Sequence, residues 1–302
     1  MKDARADAVP VSLNVPRTPR VADFVALVKL RLNLLVVATS AAGYYLGAAD
    51  PLDWWRMLQT VTGTALVAGG AAVLNQVYER DTDALMRRTR MRPLPDGRVP
   101  PDEARLFGLI LSVAGLATLA VWANLVAASL AAATLIVYLI VYTPMKRRSP
   151  LATLVGAVPG ALPPLIGWTA SHGSVSAGGA ALFAIVFLWQ IPHFMAIAWL
   201  YRDDYGKAGF PMLPVIEPDG RKTGRQAVLY AAMLLPISLV PWLIGLSGPI
   251  YFAAAAALGA ALLGLSIRFA RSRTDESARV LFFASIIYLP LIWITMIWDK
   301  AS

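Results

Sequence analysis

The chain has no cysteine and only two histidines, His172 and His193, among its 302 residues. Disulfides, thiolate metal sites and multi-histidine metal centres are thereby excluded. Charge is scarce as well. Charged residues make up 15% of the chain, against ~25% in a typical soluble domain. Acidic residues are scarcest, 18 in all, so the places where they gather are informative. Apolar residues fill the space, at 58%. That excess is too large for a bigger soluble core and predicts an all-α, polytopic membrane protein. In a soluble protein the net charge of +9 would point to nucleic acid. Here it points to basic loops facing anionic lipid and phosphate, so no nucleic-acid partner is expected. Residues 1–20 are polar and proline-containing and read as a disordered tail, with no cleavable signal. Residues 21–302 read as one intramembrane domain.

Nine segments approach the ~20 apolar residues that a bilayer needs. They are 23–48, 55–78, 104–123, 126–145, 151–171, 177–200, 225–246, 249–270 and 279–298. The third and fourth meet at Asn124 with almost no loop, a tight helical hairpin. Pro159, Pro163 and Pro164 are expected to kink or break the fifth segment, and Pro192 the sixth. Such breaks persist where freed carbonyls face protein or a polar cavity, which places these two segments beside one. Of the 27 basic residues, all but Arg56 and Lys300 fall on alternate loops. This segregation predicts a plasma (inner) membrane protein with its amino terminus and both long loops in the cytoplasm. Each long loop opens with acidic residues and closes on a proline-rich stretch, a weak echo of two related halves facing one site.

The first acidic stretch runs from Asn75 to Pro95. Asn75, Glu79 and Asp83 follow at steps of four, so a helix places them on one stripe, each ~6 Å above the last. An amide and two carboxylates can hold a hard divalent cation through oxygen. Arg88 and Arg92 crowd the same segment, and arginine beside metal and carboxylate suits a phosphate-bearing substrate. Taken alone, the stretch reads equally well as a charged loop at a helix end. A second acidic stretch, Tyr201 to Pro211, shifts the balance. It carries Arg202, Asp203, Asp204 and Lys207 at the same membrane face. Two such helix ends can pinch a metal–diphosphate group between them. Asp203 and Asp204 can also be simply solvated. Lys146 and Arg147, in Tyr142-Thr-Pro-Met-Lys-Arg-Arg148, add cations to that face, or serve topology alone.

His193 lies in Trp189-Gln-Ile-Pro-His-Phe194, eleven residues before Asp204. That spacing is nearly a whole number of turns, so an unbroken helix would point both side chains the same way, ~16 Å apart in depth. A histidine at membrane depth is a functional candidate by default. The alternative is a core histidine hydrogen-bonded across helices, with Gln190 at hand. His172, among Ser171, Gly173 and Ser174, reads as a surface residue.

These residues carry a resemblance. Asn75-x-x-x-Glu79-x-x-x-Asp83 with Met86, Arg88, Thr89, Arg92 and Pro93 is similar to the first motif of the intramembrane prenyltransferase superfamily of the UbiA type. Tyr142-Thr143-Pro144 with Lys146 and Arg147, then Trp189-Gln190-x-Pro192-His193-Phe194, then Asp204-Tyr205 to Pro214, resemble its haem-modifying branch in the same order. The resemblance runs from the first segment to the last. One departure is plain: the superfamily's second motif often has acids four apart, but Asp203 and Asp204 are adjacent, with Leu200 and Ala208 at the flanking positions. The resemblance implies a helical bundle around a central cavity open to the lipid bilayer. It implies Mg²⁺ held by Asn75, Glu79, Asp83, Asp203 and Asp204, with Asn75, Glu79, Asp83 and Asp204 serving catalysis. It implies diphosphate bound by Arg88, Arg92, Lys146, Arg147, Arg202 and Lys207. The substrates it implies are farnesyl diphosphate and protohaem IX (haem B), with His193 against the haem and haem O as product. Contact with downstream haem-modifying or oxidase-assembly proteins fits the same branch.

Three other readings stand beside this one. A relative prenylating a quinone precursor or other aromatic acceptor shares the superfamily motifs; His193 and Met-x-Arg-Thr argue against it through the resemblance. A secondary transporter also shows repeats and broken helices, but places its acids near the midplane. Here they cluster at one face with many cations. A non-catalytic oxidase assembly factor is the third.

Overall fold

The computed structural model describes residues 20–49 and 51–301. The tail expected over residues 1–20 lies outside the described residues except for Arg20, which precedes the first helix. The helices are α1 (Val21–Leu27), α2 (Leu30–Gly47), α3 (Trp54–Tyr78), α4 (Arg80–Leu85), α5 (Pro101–Thr118), α6 (Leu125–Ile136) and α7 (Thr143–Met145). Then come α8 (Ala152–His172), α9 (Ala177–Leu200), α10 (Arg202–Lys207), α11 (Leu213–Ile216), α12 (Arg221–Leu243), α13 (Pro249–Ser272) and α14 (Asp275–Trp298). π-helical turns at Leu119–Ala123 and Val137–Tyr142 extend α5 and α6. Among the described residues there is no strand, only an isolated bridge between Ser247 and Lys300.

Seven helical stretches are long and apolar enough to cross a membrane, by length and composition. The expected count of nine is not confirmed. The two segments outside the seven are α2 and α8. Arg31 and Asn33 dilute the apolarity of α2; three prolines and three glycines dilute that of α8. Both are nonetheless long helices inside the bundle, and they pack on each other very closely. A Cβ on Gly43 would lie 2.0 Å from the Pro164 carbonyl oxygen, and one on Gly167 1.9 Å from that of Ser40. Only glycine permits such an approach, which in lipid replaces the hydrophobic drive between helices with backbone-close packing.

The prolines do not break their helices. α8 runs without interruption through Pro159, Pro163 and Pro164, and α9 through Pro192. Proline's fixed φ is itself helical, so each ring removes one hydrogen bond without forcing the chain out of the helix. Ala161 to Ala170 are all buried, so surrounding helices support α8 through its weak point. The hairpin expected at Asn124 is present. Asn124 leaves helical geometry at φ −167°, and its Oδ1 accepts the Ala127 N–H at 2.8 Å. Its amide donates to the Thr169 carbonyl at 2.7 Å, pinning the hairpin to α8.

Neighbour relations in the first half recur in the second. α2 packs on α3 and α8 on α9; α3 packs on α5 and α9 on α12; α5 packs on α6 and α12 on α13. The two halves meet along α2 and α8. In this arrangement α3 and α9, which end in the two acidic segments, occupy equivalent places. α14 closes the bundle against α9, α13 and α2.

Candidate functional site

The Asn75–Glu79–Asp83 stripe forms as its spacing predicts, although α3 ends inside it. Glu79 leaves ideal helical geometry (φ −95°, ψ 7°) and α4 resumes at Arg80. The four-residue ladder survives: the Glu79 N–H donates to the Asn75 carbonyl at 2.9 Å and the Asp83 N–H to that of Glu79 at 2.7 Å. All three side chains are buried.

Each carboxylate has a cation. The Lys146 ammonium donates to both Glu79 oxygens, at 2.9 and 3.2 Å, and lies over the Tyr142 ring at 4.4 Å. Arg92 donates to Asp83 Oδ2 at 2.6 Å. The segments are shaped to make these pairs. Asp83's own carbonyl accepts the Thr89 hydroxyl at 2.7 Å, folding the Met86–Arg92 turn back over α4. Asn75 is oriented through a chain of bonds. The Thr143 hydroxyl donates to the Tyr138 carbonyl at 2.7 Å, so it accepts from the Asn75 amide at 3.0 Å. That leaves Asn75 Oδ1 as an acceptor, and its one hydrogen bond among the described residues comes from the Tyr138 hydroxyl at 3.4 Å.

The second acidic segment meets the first through packing. Met86 forms a small apolar cluster with Ala208 and Phe210, joined by Tyr205 and Met212. Arg88 lies over the Tyr201 ring, 5.4 Å from its centre. This is the structural use of the Met-x-Arg-Thr element: it fastens one loop to the other. Asp204 is half-buried, whereas Asp203 is exposed. Asp203 lines an open cleft of about 490 Å³ with Arg202 and Lys207. None of Asn75, Glu79 or Asp83 lines that cleft. Arg202 is drawn elsewhere, to Asp275 at 2.8 Å and onto the Trp199 ring. Arg147 is exposed.

The structure therefore does not gather the full expected set. Among the described residues no three histidine or acidic side chains cluster closely enough to hold a metal. A helical step of one turns Asp203 about 100° away from Asp204, so the adjacent acids do not point at one ion. The first motif does fit a divalent cation. Two carboxylates and an amide oxygen on successive turns are hard oxygen donors, and Lys146 and Arg92 now neutralise the charges such an ion would meet.

His193 faces α14 from its place on α9. Its ring stacks between Trp189 and Phe282, with centroids 5.2 and 5.1 Å away. Its Nδ1 lies 2.8 Å from Ser285 Oγ. Gln190 instead faces α8, donating to the Ala157 carbonyl at 3.1 Å, so the cross-helix hydrogen bond expected of a core histidine is made to Ser285 and not to Gln190. α9 ends at Leu200 and Tyr201 leaves helical geometry (φ −113°, ψ 21°), yet the ladder continues toward Asp204: the Tyr201 N–H donates to the Ile197 carbonyl and the Tyr205 N–H to that of Tyr201, both at 3.0 Å.

Sequence reasoning counted Lys29 as topology charge. It stands outside the spanning helix, between α1 and α2, in left-handed backbone (φ 55°). Burial, then the charges of Arg92 and Lys146, push its ammonium down to about 7, against Glu79 and Asp83. Its signal was a lone cation just ahead of an apolar run, indistinguishable in sequence from an anchor. Tyr138 and Ser285 were missed as well, being ordinary residues within apolar helices, and Thr143 entered only as part of the Tyr-Thr-Pro element.

Comparison with known proteins agrees with this geometry. Residues 36–287 match the UbiA prenyltransferase family. A protoheme IX farnesyltransferase of Solibacter usitatus is 45% identical over 287 residues, covering 92% of this chain and 98% of that one. Another, of Koribacter versatilis, is 44% identical over 307 residues, 97% and 99% of the two chains. Among solved structures, digeranylgeranylglyceryl phosphate synthase aligns with a TM-score of 0.79 at 17% identity, over 92% of this chain and 97% of that one. A UbiA homologue from Archaeoglobus fulgidus bound to GPP and Mg²⁺ gives 0.65 at 18%, over 91% and 99%. The chain belongs to the UbiA prenyltransferase family. It is an integral membrane enzyme of prenyl transfer.

Proposed function

We propose that this chain transfers the farnesyl group of farnesyl diphosphate to a vinyl group of protohaem IX, giving haem O and releasing diphosphate. The observation that carries the reading is the buried box of Glu79–Lys146 and Asp83–Arg92 in a chain so similar, end to end, to protoheme IX farnesyltransferases. The diphosphate lies at the acidic end of the bundle and the farnesyl chain runs among the apolar helices. Glu79, Asp83 and Asn75 would hold Mg²⁺, with Asp204 as the nearest second-segment candidate. That ion supplies positive charge to the departing diphosphate oxygens. Lys146 and Arg92 turn from their carboxylates toward the same oxygens, and preorganised cations at a developing charge lower the barrier. The C1–O bond of the prenyl chain breaks and leaves an allylic cation. Apolar helix walls keep water from it. The terminal vinyl carbon of the haem forms the new bond, water adds to the inner vinyl carbon, and one proton is released.

His193 takes the haem side, within the aromatic stack of Trp189 and Phe282. The amino terminus and both acidic segments face the cytoplasm, in the inner membrane, on the strength of the basic-residue segregation. Residues 21–302 act as one domain. Farnesyl transfer by purified protein tests the diphosphate site. E79Q and D83N should each lose turnover while staying folded, and EDTA should stop the wild type until Mg²⁺ is returned. Metal-independent turnover, or normal rates in both variants, would sink the mechanism.

A further inference from the structure

We propose that Asp23 and Arg98 are positioning residues for Arg92: their ion pair straps α1 across the turn over residues 86–99 and so sets the Arg92 guanidinium against the first acidic motif. The inference rests on the prenyl-diphosphate reading above, in which Arg92 serves the leaving group. Arg92 belongs to no helix; it stands in the turn between α4 and α5. Its guanidinium nevertheless meets the buried Asp83 at 2.6 Å. Thr89 ties one end of the turn to the Asp83 carbonyl. Arg98 fixes the other end.

Arg98 reaches in three directions. Its Nη2 donates to the carbonyl of Met91, the residue before Arg92, at 2.9 Å. Its Nε donates to Asp96 Oδ2 at 2.7 Å, and its Nη1 donates to Asp23 Oδ1 on α1. A planar guanidinium serves all three acceptors at once, a fork that an ammonium does not reproduce. The backbone closes around it. The Asp96 N–H donates to the Arg92 carbonyl at 3.0 Å, and the N–H groups of Arg98 and Val99 both donate to that of Pro93. Between them Gly97 takes φ 73°, a conformation that glycine adopts without strain.

The strap is seated from the other side as well. Asp23 is buried, and its second oxygen accepts the Arg20 N–H at 3.2 Å. Among the described residues its ion-pair partner is Arg98, and a carboxylate taken out of water needs such a partner. Leu27 packs with Val73, Leu94, Val99 and Ala104. Phe24 meets Phe107 edge-on, with ring centres 5.2 Å apart. α1 has seven residues, too few to be a stable helix without such packing. α1 and the turn therefore hold each other, with Arg92 between the two tied ends. If the ion pair is lost, Arg92 has to be ordered when the anion binds, and that ordering weakens binding.

The test uses the full chain in detergent with Mg²⁺ and inorganic pyrophosphate as probe, read by calorimetry as a double-mutant cycle. Asp23→Asn should lower pyrophosphate affinity about three- to tenfold, the scale of ordering one long side chain on binding. Arg98→Lys should do the same, and Asp23→Glu, which restores the carboxylate, should recover most of the loss. In an Arg92→Gln background, Asp23→Asn should change affinity by less than about twofold. In a Lys146→Met background it should keep its full effect. A similar loss in all three backgrounds would overturn the assignment, because general loosening does not act through Arg92. Unchanged affinity in Asp23→Asn would overturn it too. So would failure of that variant to fold, by making the pair structural alone. The two readings fail separately. The expected cycle without haem farnesylation by the wild type would sink the function and leave the strap in place. Normal farnesylation with unchanged affinity in Asp23→Asn would remove the strap alone.

Discussion

Replacing Lys146 by methionine probes the box most sharply, because it removes the ammonium and keeps most of the stem. Glu79 is 8% exposed, and its carboxylate is held by that one ammonium in two hydrogen bonds. Removing one partner of such a buried pair strands the other charge, at a cost of about 3–5 kcal/mol. In a chain of this size that lowers the melting temperature by on the order of 10 °C. A divalent cation at Glu79 would replace the missing charge. Mg²⁺ should therefore stabilise K146M more than it stabilises the wild type in thermal unfolding followed in detergent. Farnesyl transfer should nevertheless stay low, since the same ammonium serves the leaving group. K146M protein that melts like the wild type, or gains nothing extra from Mg²⁺, would refute the view that Glu79 is a buried anion awaiting a metal.

Two more outcomes follow from the same geometry. The chain has no cysteine, so single cysteines at the exposed Arg105 and Lys222 report topology cleanly; both should react only with reagents reaching the cytoplasmic side, and labelling from outside intact cells would refute the orientation. The Ser285 hydroxyl donates its one proton to the Phe282 carbonyl at 2.6 Å, so His193 must donate through Nδ1 and keep Nε2 unprotonated. With only two histidines, ¹⁵N-histidine NMR should resolve that tautomer in the wild type and lose its dominance in S285A; a wild type protonated at Nε2 would contradict it.

Much of this was legible in sequence because periodicity is local. The Asn75–Glu79–Asp83 spacing predicted a shared stripe, and the ladder preserved it through the end of α3. Asn124 predicted the hairpin because one residue both stops a helix and caps the next. Reasoning failed where the outcome depended on neighbours. The α8 prolines looked like breaks, but flanking helices bury and support that segment. Arg202 was a plain cation in sequence, and Asp275, 73 residues away along the chain, draws it from the site.

The most direct measurement is the mass of the pigment recovered after purified protein meets haem B, farnesyl diphosphate and Mg²⁺. The account predicts haem heavier by one farnesyl group and the elements of water, formed by the wild type and absent with D83N. Unmodified haem, together with prenylation of a quinone precursor offered in its place, would contradict it.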